Sequence, residues 1–470
     1  MSFLDKLKQS TNKTWTENDA VTNISTLNPV LDFFAQAGAM RERLPDAVKL
    51  FRRAYAEDPL MALRALFYMR DVRGGQGERD LFRACLKEVP QSVVEKNIEH
   101  IPTFGRFDDM FVLKPEVIKS FIGEKLAEDE KLMKAKKSVS LLAKWMPSEN
   151  TSSQQSRTLA RKFAKLFELS ASKYRKKIVA LRKYIKLLEH KMSANEWEGV
   201  DYEKVPSQAM RKHVKAFKRH DGPRYNEFLE AVEKGQKKIK TETLFTYEVF
   251  DLVKEGEDKA ANALWKNLPD YTKGQNALVV ADVSGSMSGR PISISVSLAL
   301  YFAEHNTGLF KNYFMTFSSK PQLVKVLGKT LTEKLRNIEN SEWEMNTDLE
   351  AAFDAILEAA QDDEAEASEM PKVLYVISDM EFDEAVAEPN ETIFKQAQKK
   401  FKAAGYELPH VVFWNVNSRQ DQNPATMYDD NVTLISGASQ STFKYAVEGK
   451  TPLESMNEIL NSERYEVIKV

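Results

Sequence analysis

Apolar residues recur at i, i+3 and i+4 through the first half of the chain, the spacing of one buried helical face. VLDFFAQAG (30–38), DAVKLFRRAYAE (46–57), PLMALRALFYMRDV (59–72) and RDLFRACLKEV (79–89) each carry it. Asp58-Pro59 marks a helix start, because proline suits the first turn, and Gly74-Gly75 and Gly105 punctuate. The pattern continues over 114–240 in SRTLARKFAKLF, KYRKKIVALRKYIKLLEHKM and SQAMRKHVKAFKRH. No convincing strand alternation precedes residue 275. Residues 28–240 are therefore predicted to be an all-α array of antiparallel helices, with no period clean enough for a named repeat. The polar residues 1–27 are predicted to be a flexible arm.

After Gly274 the grammar changes. NALVVADVSGSM, KNYFMTFSS, KVLYVISDM, HVVFWNVN and NVTLISG read as strands, with VKVLG as a short edge strand. PISISVSLALYFAEH, TEKLRNIEN, DLEAAFDAILEAAQ, ETIFKQAQKKFKAAG and TPLESMNEILNSERYEVI read as helices. Strands alternating with helices predict an α/β domain over 275–470, with a mainly parallel sheet covered on both faces. Between the halves, residues 241–274 carry Leu244, Phe245, Phe250, Leu252, Leu264, Trp265 and Leu268. A flexible linker would be rich in Gly, Ser and Pro. These apolar residues predict a helical connector packed against both halves.

Composition narrows the class. The 470 residues are 42% hydrophobic and 29% charged, as in a soluble multidomain protein. The single cysteine, Cys85, makes an intrachain disulfide impossible. With no apolar leader and no run near the ~18 residues of a membrane span, the expected location is cytoplasmic. The net charge of −1 hides a segregation. Residues 131–240 hold 28 Lys and Arg against 11 Asp and Glu, whereas 271–470 hold 18 against 30. One reading is simply solvated faces. The other is a phosphate-binding region beside a cation-binding domain.

In a parallel sheet, ligands bind outside the carboxyl ends of the strands. Three loops expected there carry Asp282-Val283-Ser284-Gly285-Ser286, Asn346-Thr347-Asp348 and Ser378-Asp379. Asp282, Ser284, Ser286, Thr347 and Asp379 make an all-oxygen donor set suited to Mg²⁺ or Mn²⁺. Zinc is disfavoured, because no Cys or His accompanies them. The alternative is an Asp cap and Ser-rich turn without metal. The five residues resemble, in chain order and strand placement, the metal-ion-dependent adhesion site of a von Willebrand factor A (vWA) domain. That resemblance implies a Rossmann-like fold and a metal with an open position for a partner's carboxylate. Met380 departs from the pattern, since many vWA domains have glycine there. Glu381-Phe382-Asp383 adds carboxylates that either assist a cation or lie on the surface.

Upstream, Tyr68-Met69-Arg70-Asp71-Val72-Arg73-Gly74-Gly75-Gln76-Gly77-Glu78-Arg79 is an unusual string. Gly105-Arg106-Phe107-Asp108-Asp109, Trp145-Met146-Pro147-Ser148-Glu149-Asn150 and Val205-Pro206-Ser207 are further landmarks. A helical half with these signposts, joined to a vWA-like domain, resembles the TROVE family of the Ro autoantigen, in a branch found in bacteria, phages, plants and fungi. The resemblance implies a HEAT-like helical-repeat ring that binds small structured RNAs and single-stranded RNA ends. Basic residues near aromatics are the candidate RNA contacts: Arg70, Arg73, Arg79, Arg175, Lys176, Lys177, Arg182, Lys183, Arg211, Lys212, Lys215, Lys218 and Arg219. Each could instead be structural, the aromatics as core and Arg70, Arg73 and Arg79 as partners of Asp71, Glu78 and Asp80.

No phosphate loop, nucleophile elbow or zinc-protease motif is present, and the six histidines are scattered. The expected protein is a non-enzymatic, RNA-binding scaffold of ribonucleoprotein type. Two alternatives remain: a protein-binding module engaging an acidic partner through the metal, and, last, a metal-dependent phosphoryl-transfer enzyme.

Overall fold

The computed structural model describes residues 2–317, 320–339, 347–366, 368–384, 391–445 and 449–470. Asn346 of the second candidate loop lies outside them.

Residues 1–27 are where the sequence misled. A helix, Phe3–Thr11, is followed by β1 (Lys13–Trp15) and β2 (Val21–Asn23), an antiparallel pair. The strands have three residues each, too short for a period to register. Their support is long-range: Asn23 exchanges backbone hydrogen bonds with Asn423, and the Thr16 hydroxyl donates to Phe382 O at 2.7 Å.

The helical region begins with Pro29–Gln36, Leu44–Glu57 and Pro59–Arg70. Asp58 caps the third, accepting from Met61 N at 3.0 Å, with Pro59 in the first turn. Such a cap contributes about 1 kcal/mol. Further helices include Arg79–Leu86, Pro115–Lys134, Gln154–Leu166, Ala171–Ile185, Ser207–Lys212 and Val214–Glu233. The connector forms Thr246–Lys254 and Asp258–Lys266.

Among the described residues six further strands make one sheet in the order β5-β4-β3-β6-β7-β8. They are β3 (Ala277–Asp282), β4 (Tyr313–Phe317), β5 (Gln322–Lys325), β6 (Val373–Ser378), β7 (His410–Asn415) and β8 (Val432–Ser436). All pairs are parallel except β4 with the edge strand β5. Every residue of β3, β6 and β7 is buried. Ala277, Val279, Ala281, Tyr375 and Trp414 join one core with helix Arg290–His305. Leu278, Val280, Val376 and Phe413 join another with helices Leu349–Asp362 and Ile393–Ala403. Two apolar faces explain why the strands read as unbroken apolar runs.

The cores cut across the order of the chain. Residues from Trp197 through the connector pack into the sheet core beside helix Arg290–His305. The C-terminal helix Pro452–Leu460 and its tail leave the sheet, and Met456, Ile459, Leu460, Tyr465 and Ile468 complete the core of the first helices. Arg464 and Tyr465 both bond Asp71, the latter at 3.0 Å. Asn97 and Lys469 exchange two bonds, at 2.6 and 2.9 Å. The two regions are thus locked together at both ends of the helical array. No helix among the described residues is long and apolar enough to cross a membrane.

Candidate functional site

The sheet reverses direction of winding between β3 and β6, and the candidate residues stand where those two strands end. Asp282, the last residue of β3, is fully buried. Its Oδ1 accepts from Ser284 N at 2.9 Å and its Oδ2 from the Ser378 hydroxyl at 2.6 Å. Ser378 closes β6 and in turn accepts from Met380 N at 3.0 Å. The Ser284 and Ser286 hydroxyls lie 3.0 Å apart. Asp379 follows, 1% exposed, with Oδ1 accepting from Glu381 N at 3.2 Å and Oδ2 buried with no hydrogen-bond partner.

Two buried carboxylates side by side resist ionisation. Burial, then the charge of Asp379, pushes Asp282 up to about 7. Burial also raises Asp379, against the Ser286 hydroxyl and the Glu381 amide, which favour its charged form.

Asp282, Ser284, Ser286 and Asp379 are therefore brought together. Thr347 is linked to them indirectly, through Asn18 and Glu381. Its hydroxyl donates to Asp383 Oδ1 at 2.7 Å and accepts from Asn18 Nδ2 at 2.9 Å, while Asn18 also donates to Glu381 O at 2.8 Å. Thr347 N donates to Asp383 Oδ2 at 3.0 Å. Asp383 is thus the residue that fixes Thr347, and Glu381 is buried rather than a surface acid. Met380, where glycine was expected, has φ +68°. It holds the left-handed conformation that glycine adopts freely, and its buried side chain packs with Phe382 and Phe413 in the sheet core. Among the described residues no three His, Cys, Asp or Glu side chains group to hold a metal. The set here is two carboxylates with hydroxyls.

The basic candidates have three fates. Arg70 is corrected to a structural residue: it is buried against Asp109 at 2.7 Å, where no phosphate reaches. Arg182 is likewise turned inward, donating to Ala143 O, Met146 O and Ser148 Oγ, and it holds the Trp145–Ser148 turn in place. Arg211, Lys215 and Lys218 face the connector and pair with Asp251, Glu255 and Glu257, while Lys177 pairs with Glu130 and Arg79 with Asp80. Arg73, Arg175, Lys176, Lys183, Lys212 and Arg219 are exposed. The nearby aromatics Tyr174 and Phe217 are core.

The upstream landmarks are joints. A Cβ on Gly75 would stand 1.9 Å from Tyr68 O, and Gly77 has φ +67°. That tight turn lets Gln76 donate to Tyr68 Oη at 2.7 Å and Thr442 Oγ1 at 2.9 Å, joining the helices to the sheet region. Arg83 binds Asp108 and Asp109, and Arg106 stacks 4.2 Å over Trp145.

The geometry defines a helical protein with an appended α/β sheet domain. The chain belongs to the family described as domain of unknown function (DUF2828), whose model matches residues 16–91 and 108–283. Residues 276–468 match a second family model, domain of unknown function (DUF7788). The chain is similar to an uncharacterised protein of Acanthamoeba polyphaga mimivirus, 26% identical over 486 residues, covering 92% of this chain and 84% of that one. It is also similar to the crystal structure of the Deinococcus radiodurans RO (RSR) protein, at 13% identity and a TM-score of 0.37, covering 92% and 93% of the two chains.

Proposed function

We propose that this protein is a non-enzymatic, RNA-binding scaffold whose sheet domain holds a divalent cation at a vWA-type site. The observation that carries the RNA reading is a set of exposed cations on two adjacent helices. Arg161, Lys162 and Lys165 on Gln154–Leu166, with Lys173, Arg175, Lys176 and Lys183 on Ala171–Ile185, avoid the packed side of Phe163, Tyr174, Ile178 and Leu181. None of the seven has an ion-pair partner among the described residues. Unpaired cations held on helices suit phosphates. The cations of residues 207–219 suit them less, because the connector's acids neutralise three of them.

The cation reading rests on the donor set. Asp282, Ser284, Ser286 and Asp379 offer hard oxygens, and Asp379 Oδ2 has no donor although it is buried. Mg²⁺ or Mn²⁺ fits those donors, and Thr347, held by Asp383, is the further hydroxyl the vWA resemblance implies. Bound there, the ion would supply the positive charge that two neighbouring buried carboxylates lack.

Filter binding of total RNA over a salt series tests the scaffold reading. The slope of log K against log salt should fall by about 0.7 per phosphate contact removed when Arg161, Lys165, Arg175 and Lys176 are reversed to Glu. Wild-type protein that retains no RNA at low salt would overturn it.

A further inference from the structure

The candidate cation site is covered by a part of the chain that lies more than 250 residues away in sequence. The β1–β2 tip, Thr16–Asp19, lies across the third loop and reaches the second. Besides the Thr16 and Asn18 bonds described above, Glu17 N donates to Glu381 Oε2 at 2.8 Å, Glu384 N donates to Asn18 O at 2.9 Å, and Asp19 bridges to Asp383. Ala20 and Thr22, buried behind the tip, anchor it to the sheet domain. The tip is therefore held from both candidate loops.

The Glu17 carboxylate points away from the hairpin's own bonds. It meets Arg419 at 2.6 Å, and the same guanidinium stands 3.9 Å from Asp379 Oδ2. At 3.9 Å there is charge attraction but no hydrogen bond. Two carboxylates from distant parts of the chain thus converge on one positive charge, and one of them keeps a buried oxygen without a donor. The Arg419 side chain is 38% exposed, so it has water to move into.

We infer that Glu17 is an additional acidic group of the cation site, so that the chain supplies its own carboxylate where a partner's acid would otherwise enter. This rests on the cation reading above. Its consequence is that the site ties the N-terminal hairpin to the sheet domain and is closed to an external acid while the hairpin is docked. Arg419 is the exchange group: it balances Glu17 and Asp379 without the ion and gives way to it.

The test uses the full chain and Mn²⁺ or Mg²⁺ alone as probe. Calorimetric titration measures affinity, and hydrogen exchange follows the amides of residues 13–23 with and without the ion. Wild-type protein should bind the ion and show slower exchange at 13–23. Glu17→Gln should weaken binding about tenfold, by analogy with loss of one charged group at a metal site, and abolish that slowing. Asn18→Ala, which loosens the tip but keeps the carboxylate, should have the smaller effect. Ion binding that leaves both exchange and the Glu17→Gln affinity unchanged would overturn the inference while sparing the site. No ion binding by wild type would overturn the site itself.

Discussion

The carboxylates and hydroxyls at the strand ends and the cations of the helical half were both read from side-chain chemistry, yet they met different fates. Around the sheet, four of the five candidates come together, and the fifth is linked to them through two intervening residues, Asn18 and Glu381. Along the helices, thirteen cations scatter among buried struts, paired surface groups and free charges. The difference lies in what fixes direction. A short loop after a buried parallel strand has its origin set by the sheet register, so alternate residues of Asp282–Ser286 share a side. A lysine on a helix has a direction but no fixed partner, and its neighbour comes from an element far away in sequence. Glu255 and Glu257 lie about 40 residues from Lys215 and Lys218.

The sharpest way to break this contrast is within the arginines. Arg70→Ala removes one side of a buried pair and should destabilise the protein by about 3–5 kcal/mol. Arg175→Ala, exposed, should stay within about 0.5 kcal/mol. Urea denaturation reads both. If the two variants were equally stable, the division of these cations into structural and free would fail.

The next effect belongs to the sheet. Ligand binding stabilises by about 2.7 kcal/mol at a hundredfold excess over Kd. Wild-type protein should gain thermal stability by that order as Mg²⁺ is added, and Asp282→Ala should gain none. A Mg²⁺ response that survives in Asp282→Ala would move the cation elsewhere.

Much of this architecture was legible because it is written in periods. β3, β6 and β7 are apolar on both faces, and the helices repeat their apolar stripe, so type and order followed directly. The β1–β2 hairpin was not legible. Its three-residue strands have no period, and its partners are Asn423, Phe382 and Asp383. For the same reason the residues that finish the site, Asn18, Glu17 and Arg419, left no signal. Ser378 and Asp383 did leave one, since they flank Asp379 in the same loop, but nothing in the sequence says which acid turns inward. The glycine-rich string ending at Arg79 was conspicuous for a packing reason: Gly75 leaves no room for a Cβ, and Gln76 is a joint.

The smallest effect probes the same contrast through pH. His410 opens β7 and is buried. Its Nδ1 pairs with Asn431 Oδ1 at 3.0 Å, and since the Asn431 amide nitrogen donates to Leu408 O, that ring nitrogen carries the hydrogen. Nε2 then accepts from the Thr433 hydroxyl at 2.9 Å. Burial pushes the imidazole below its ordinary value of 6.5. Below 6.5 the unfolded chain takes up a proton that the folded chain refuses, so this group's share of stability is complete above 6.5 and declines as pH falls toward the depressed folded value. Lysines and arginines in water keep their charge across that window, so the exposed cations of the helical half add no slope there. The raised Asp282 carboxyl gains stability over the same window in both proteins, so the His410 share is read as a difference: from pH 7.5 to 5.5 the wild-type denaturation midpoint should lose ground relative to that of His410→Gln, each compared with its own value at pH 7.5. Equal slopes in the two proteins would mean that the imidazole is not held neutral, and that the sheet region hides fewer protonation-sensitive contacts than its buried polar residues imply.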